Sequence, residues 1–275
     1  MRWILLFSFT ALAFISQAEN KQPSKTDTSF ELQSDILNET RSITVYFPAS
    51  YGVDTAKKYP VIYVLDGEIN GALVAEVNRR MVISGGANEQ LVVAIHSTDR
   101  IRDYAPTVNR DPRGPLGEGG GGDKFLQFLK TELMPAINVD YRTNTYNAIA
   151  GHSVAGLLVV HSFHAYPELF QAHLAFSPSV WWGARETSVA AQDYIMSDEV
   201  QPGFLYLNIG NEAGEMRDVY NQFEAAIRKN RPLDLSLLSE SFNYDSHGLT
   251  FPAGLYNALR GMYQHQVSIA QEGKS

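Results

Sequence analysis

From Ser42 the chain alternates: Ile43, Val45 and Phe47 are apolar, with Ser42, Thr44 and Tyr46 between them. A period of two predicts a strand with one buried face. Apolar runs follow at Val61–Leu65, Leu91–Ile95, Ala148–Ala150, Leu174–Phe176 and Phe204–Ile209. Such runs predict parallel strands buried on both faces. Helical spacing lies between and after them. In 123–138 it is carried by Phe125, Phe128, Leu129 and Leu133, and in 252–268 by Leu255, Leu259 and Met262. Strands alternating with helices predict an α/β domain with a mostly parallel sheet. Right-handed crossovers then put helices on both faces. No linker rich in Pro, Ser or Gly divides the chain, so one domain is expected over residues 30–272, after a flexible polar segment 19–29.

The first residues break this pattern. Met1-Arg2 precedes a nearly continuous apolar stretch, Trp3 to Ile15, and then Ser16-Gln17-Ala18. A basic start, a short apolar region and a small-x-small site predict a signal peptide over 1–18. The stretch is short for a membrane span, so a periplasmic or secreted protein is expected, with no membrane attachment after cleavage. The whole chain carries 22 basic and 30 acidic residues; cleavage would remove only Arg2. That acidic balance gives no general attraction to nucleic acid or anionic membrane. There is no cysteine, which excludes disulfides, thiolate metal sites, a thiol nucleophile and a lipid on cysteine.

Two loop motifs fail on inspection. The glycine-rich 114–122 precedes a helix, but Asp123 stands where a phosphate loop needs Lys; a mobile loop near a site is the expectation. Asp66–Glu76 departs from a calcium loop at Glu68 and in the place of its last glutamate. His161, His164 and Glu168 have helical metal spacing, without a further ligand.

The segment that carries chemistry is Gly151-His152-Ser153-Val154-Ala155-Gly156, between an apolar strand and a helical run. This is the context of a nucleophile elbow, a sharp strand-to-helix turn that exposes a serine hydroxyl. Gly151 fits the turn, whereas Ala155 replaces a second glycine. A serine needs an adjacent base, and elbow enzymes follow the order Ser, acid, His. His247, in Asp245-Ser246-His247-Gly248, lies in the right place. His152 adjoins the serine and is expected to point elsewhere; His161 and His164 sit in the following helix, and His96 precedes the serine. His173 and His265 have no catalytic context. After the strand ending at Ile209, Glu212 is the better placed acid, Glu215 the alternative and Asp218 the third choice. Val154 N–H is one expected oxyanion donor, and Gly67 or Glu68 supplies the second.

These residues sit in a longer pattern that resembles the esterase family of α/β-hydrolases containing esterase D, enterochelin (siderophore) esterases and feruloyl esterase domains. The match runs through Ile36–Arg41, Tyr59–Glu68, Thr98–Pro106, Phe125–Tyr141, the elbow, Ser177–Trp182, Gly210–Glu212 and Ser246–Gly248, roughly 230 residues in order. The resemblance implies an α/β-hydrolase fold, Ser153 as nucleophile, His247 as base and Glu212 as acid. It further implies that Arg100, Tyr104, Trp181 and Trp182 line the substrate mouth. Asp66-Gly67, in place of His-Gly, is similar to the enterochelin-esterase branch, while Ala155 departs from the usual glycine.

The expected activity is hydrolysis of a small-molecule carboxylic ester through an acyl-enzyme, with no metal or organic cofactor. An acyltransferase would use the same triad, and a silent ligand-binding homologue would keep the pocket without turnover. The sequence leaves open the ester, whether siderophore, feruloyl, acetyl or thiol, and the oligomeric state.

Overall fold

The computed structural model describes residues 26–272, so the expected signal peptide lies outside the described residues. In chain order the elements are β1 (Asp27–Ser34), β2 (Glu39–Tyr46), β3 (Tyr59–Val64), α1 (Gly67–Ile83), β4 (Leu91–Ile95) and α2 (Arg100–Tyr104). There follow α3 (Gly122–Phe128), a π-turn (Leu129–Leu133), α4 (Met134–Asp140), β5 (Thr143–His152), α5 (Val154–Ala165) and β6 (Ala172–Phe176). The chain continues through α6 (Glu186–Ile195), β7 (Gly203–Ile209), α7 (Glu215–Asn230), β8 (Leu235–Ser241), a 3-10 turn (His247–Leu249) and α8 (Thr250–Glu272).

The strands form one eight-stranded sheet in the order β1-β2-β4-β3-β5-β6-β7-β8. β2 runs antiparallel to both β1 and β4, and every pairing from β4 to β8 is parallel. The mostly parallel sheet is the expected one, and the runs read as central strands are buried throughout β3, β4, β6 and β7. Each face carries its own core. On one, Val74 and Met81 of α1 and Phe251, Leu255 and Leu259 of α8 cover Ile62, Val64, Leu174 and Tyr206. On the other, α3, α5, α6 and α7 cover Tyr63, Leu65, Ile149 and Leu207.

Two expectations are corrected. Residues 27–29, read as part of a flexible segment, belong to β1, where Asp27 to Ser34 pair in register with Tyr46 to Glu39. An edge strand is held by ladder hydrogen bonds and needs little apolar sequence. The single helix expected over 123–138 is divided by the π-turn. Pro135, in the first turn of α4, has no N–H to continue the α-helical ladder, and the wider turn precedes it.

Three buried or half-buried histidines are held neutral. Burial lowers His173 to about 3. Burial and then neighbouring His161 lower His164 to about 4; burial, then His247 and Arg100, lower His152 to about 4. The unfolded chain titrates these groups near pH 6.5, so it binds more protons than the folded chain as pH falls from there toward 4. Stability therefore declines across that window. Asp66, raised by burial against the pull of Arg100, opposes the trend as one group against three. The urea midpoint is expected to be lower at pH 5 than at pH 7; an equal or higher midpoint at pH 5 contradicts this assignment.

Candidate active site

At the end of β5 the chain turns sharply into α5. Ser153 has φ 63° and ψ −118°, a conformation that a non-glycine residue holds only when its surroundings enforce it. Its N–H donates to Phe176 O at 2.9 Å, tying the turn to the end of the neighbouring strand. Gly151 has no room for a side chain, since a Cβ there would lie 2.5 Å from Ala155 O and 3.0 Å from the Ala155 methyl. The expected glycine position at Ala155 thus accepts a methyl because the facing position lacks one. Ser153 Oγ lies 3.4 Å from Ser179 Oγ.

The acid and the histidine come from the next connections along the sheet. Glu212 follows β7 and His247 begins the 3-10 turn after β8. His247 Nδ1 donates to Glu212 Oε1 at 2.7 Å, and Ser177 Oγ donates to the same oxygen at 2.6 Å. Burial alone would raise this carboxyl; the hydrogen bonds from His247 and Ser177 prevail and hold it at about 2. Glu212 is therefore ionised at neutral pH. With Nδ1–H committed to it, His247 offers Nε2 as a proton acceptor. Glu215, the alternative acid, instead pairs with Arg185 and, at 3.4 Å, with Arg113.

On the other side of the serine, Asp66 stands at φ 50° and ψ 49° ahead of α1. Gly67 presses on the backbone of β4, where a Cβ would come within 2.5 Å of Ala94 C and Ile95 N. The first amides of a helix have no acceptor within it, and the amides of Gly67 and Glu68 open α1 as that of Val154 opens α5. The parallel pairing of β3 with β5 places these helix starts side by side. Glu68 bends back to Ser97, accepting from its N and Oγ at 3.1 and 2.7 Å.

Arg100 joins the two turns. Its Nε donates to Asp66 Oδ1 and Oδ2 at 2.9 and 3.1 Å, and its Nη2 donates to His152 O at 2.9 Å. Its helix, α2, is anchored by the buried Arg41–Asp103 pair at 2.5 Å, while Arg102 Nε bonds Asp103 at 2.7 Å.

Several expectations change. Tyr104 is fully buried, lies edge-on to Phe125 at 5.2 Å and accepts from Asp66 N at 3.3 Å; it props the turn from below and does not line a mouth. Trp182 is 2% exposed and donates to Thr107 O at 2.7 Å. Trp181, 8% exposed, lies under the Arg113 guanidinium at 5.2 Å. Both tryptophans are packing beneath the glycine-rich segment. That segment, read as mobile, is pinned: Gly120 N donates to Ala105 O at 2.9 Å and Gly121 N to Arg102 O at 3.0 Å. Its glycines answer to backbone shape, Gly119 and Gly120 having φ 96° and 91°. His161 bonds Asp123 at 2.7 Å and Glu168 pairs with Lys130 at 2.8 Å. Among the described residues no group of three or more His, Cys, Asp or Glu is arranged to hold a metal.

Sequence reasoning missed four supporting groups. Ser177 holds Glu212, and Asn208 Oδ1 accepts from Ser177 N at 2.9 Å. Ser179 faces Ser153, and His152, expected to point elsewhere, turns its ring to His247. Only the Ser177-Pro-Ser179 segment carried a signal, through the family pattern.

The sequence and the fold are both shared with known proteins. The sequence model described as Putative esterase matches residues 34–248. The siderophore triacetylfusarinine C esterase of Aspergillus fumigatus is 31% identical over 137 residues, 46% of each chain. The ferri-bacillibactin esterase BesA of Bacillus subtilis is 31% identical over 162 residues, 53% of this chain and 56% of that one. The chain thus spans about half the length of these curated relatives. The IroE-like serine hydrolase of Shewanella oneidensis superposes with a TM-score of 0.81 at 27% identity, covering 86% of this chain and 80% of that one. Its mostly parallel sheet, its helix-flanked core and a match over most of its length establish that the chain belongs to this esterase family of α/β-hydrolases.

Proposed function

We propose that the protein is a serine esterase that cleaves a carboxylic ester through Ser153, His247 and Glu212. The observation that carries this reading is the Glu212–His247 hydrogen bond at 2.7 Å, set beside a serine in a strained strand-to-helix turn. His247 Nε2 takes the Ser153 proton as Oγ attacks the acyl carbon. The oxyanion accepts from Val154 N–H and from an amide of Gly67 or Glu68. The imidazolium, stabilised by ionised Glu212, then protonates the leaving alcohol. Water, deprotonated by the same ring, attacks the acyl-enzyme and releases the acid. The chemistry needs no metal or organic cofactor.

A siderophore ester is the proposed substrate class, since the relatives named above include a siderophore triacetylfusarinine C esterase and a ferri-bacillibactin esterase. Export from a cleaved 1–18 segment, to the periplasm or medium, belongs to the same proposal and predicts a mature N-terminus at Glu19. The decisive assay offers the mature protein a cyclic hydroxamate or catecholate siderophore ester, a feruloyl ester and a p-nitrophenyl acetate, each with and without an added alcohol. The siderophore ester is expected to turn over fastest and to give free acid. Transfer to the alcohol as the main product would favour an acyltransferase. Absence of turnover on every ester, together with no phosphonate labelling of Ser153, would overturn the enzyme reading.

A further inference from the structure

We infer that His152 is a positioning residue for the reaction, holding the base-bearing turn at His247 over the nucleophile through its ring N–H. The inference rests on the serine-esterase reading and deepens it.

His152 is the last residue of β5, next to Ser153. Its Nε2 lies 2.8 Å from His247 O. A carbonyl only accepts, so this contact places the proton on Nε2 of His152. The two imidazole rings pack with centroids 4.6 Å apart at 42°. The His247 carbonyl also accepts from Thr250 N and, at 2.9 Å, from Thr250 Oγ1, but Thr250 opens α8 directly after the 3-10 turn, three residues along the chain. Of these two side chains, only His152 reaches that carbonyl from a distant part of the chain.

The contact closes a chain of polar links around the serine. Asp66 holds Arg100, Arg100 Nη2 holds the His152 carbonyl, the His152 ring holds the His247 carbonyl, and Glu212 holds the His247 ring. The turn expected to bind the oxyanion and the turn carrying the base are thereby fixed to opposite ends of one residue. None of the residues of the 3-10 turn is buried; polar contacts hold it, with Glu212 on the His247 ring and Asn211 N donating to Asp245 O just ahead of the turn.

His152 must stay neutral to serve beside a ring that becomes cationic during the reaction. The groups facing it are His247, Arg100 and Glu212, and burial with the first two lowers His152 to about 4. A second positive charge 4.6 Å from His247 is thus absent at neutral pH.

The test is a pair of variants in the full mature chain. His152→Phe keeps a ring of similar size and removes the donor, and His152→Gln restores an N–H donor on a flexible chain. His152→Phe is expected to lower kcat about 10- to 100-fold, the scale of a misplaced reacting group, with KM within about twofold and Tm unchanged. It should slow phosphonate labelling of Ser153 in parallel. His152→Gln should recover most of the lost rate. A His152→Phe enzyme with wild-type kcat overturns the inference, as does a loss that Gln fails to restore while Tm stays at the wild-type value. If His152→Phe fails to fold, His152→Leu replaces it as the variant without a donor, and if His152→Gln fails to fold, His152→Asn replaces it as the variant with one, each under the same criteria. Ser153→Ala, assayed alongside, separates the two levels. Its inactivity beside a fully active His152→Phe sinks the positioning role alone, whereas an active Ser153→Ala sinks the esterase reading and this inference together.

Discussion

Ser153→Ala is expected to reduce kcat on the preferred ester by about 10⁴- to 10⁶-fold, to the level that binding and oxyanion donors sustain without a nucleophile. The loss should fall on kcat, with Kd for an uncleaved substrate analogue nearly unchanged, because the hydroxyl acts in bond making and contributes little to ground-state binding. Thermal stability should not fall. The serine holds a left-handed backbone conformation at φ 63°, and alanine feels the same strain as serine there. The measurement is a steady-state assay against purified variant, with mass spectrometry after phosphonate treatment. Activity of Ser153→Ala within tenfold of wild type would remove Ser153 from the reaction.

Glu212→Ala is expected to cost about 10³- to 10⁴-fold in kcat, in the range of removing the orienting acid of a triad. Glu215→Ala should keep activity within about threefold, because Glu215 is engaged by Arg185 and Arg113 away from His247. The pH profile gives the sign a second check. Glu212 is held near 2 by hydrogen bonds that outweigh its burial, so it is ionised throughout pH 4 to 9. An acid limb in that range therefore does not come from Glu212 itself. In Glu212→Gln the negative charge beside the ring is lost, the imidazolium is less favoured, and the acid limb of kcat/KM should move to lower pH. An unmoved limb, or full activity in Glu212→Ala with loss in Glu215→Ala, would transfer the role to Glu215.

Much of this molecule is readable from its sequence where local pattern and local structure coincide. Apolar runs give the buried strands because a strand covered on both faces tolerates few polar residues. Ser153, Glu212 and His247 could be singled out because each follows a recognisable strand, and chain order supplied the rest. The supporting groups were not legible in that way. Ser177 reaches Glu212 through the register of β6 on β7, where Phe176 pairs with Asn208, and no spacing within one segment encodes that pairing. His152 was set aside because alternation along a strand predicts its direction and not the loop that later arrives over it. Tyr104, Trp181 and Trp182 were misplaced for a different reason: an aromatic ring with a polar atom suits a site mouth and a core edge equally. Here Thr107 O takes the Trp182 N–H, and Tyr104 supports the Asp66 amide. Pro135 did carry a legible signal for the break in the helix, though apolar spacing across it predicts continuity.

The order of strands has one further consequence for how the site comes into being. Ser153, Glu212 and His247 stand on separate connections across the β5 to β8 half of the sheet, and the last of them is backed by Thr250 at the start of α8. During synthesis the serine and its turn emerge almost a hundred residues before the base. On the proposed mechanism, a growing chain holds a nucleophile without the means to deprotonate it, and gains that means only after β8 has docked on β7 and α8 has begun to form. With that mechanism, the onset of ester cleavage during refolding is expected to serve as a clock for that final docking step, reporting completion of the sheet edge farthest from the first strand to be made.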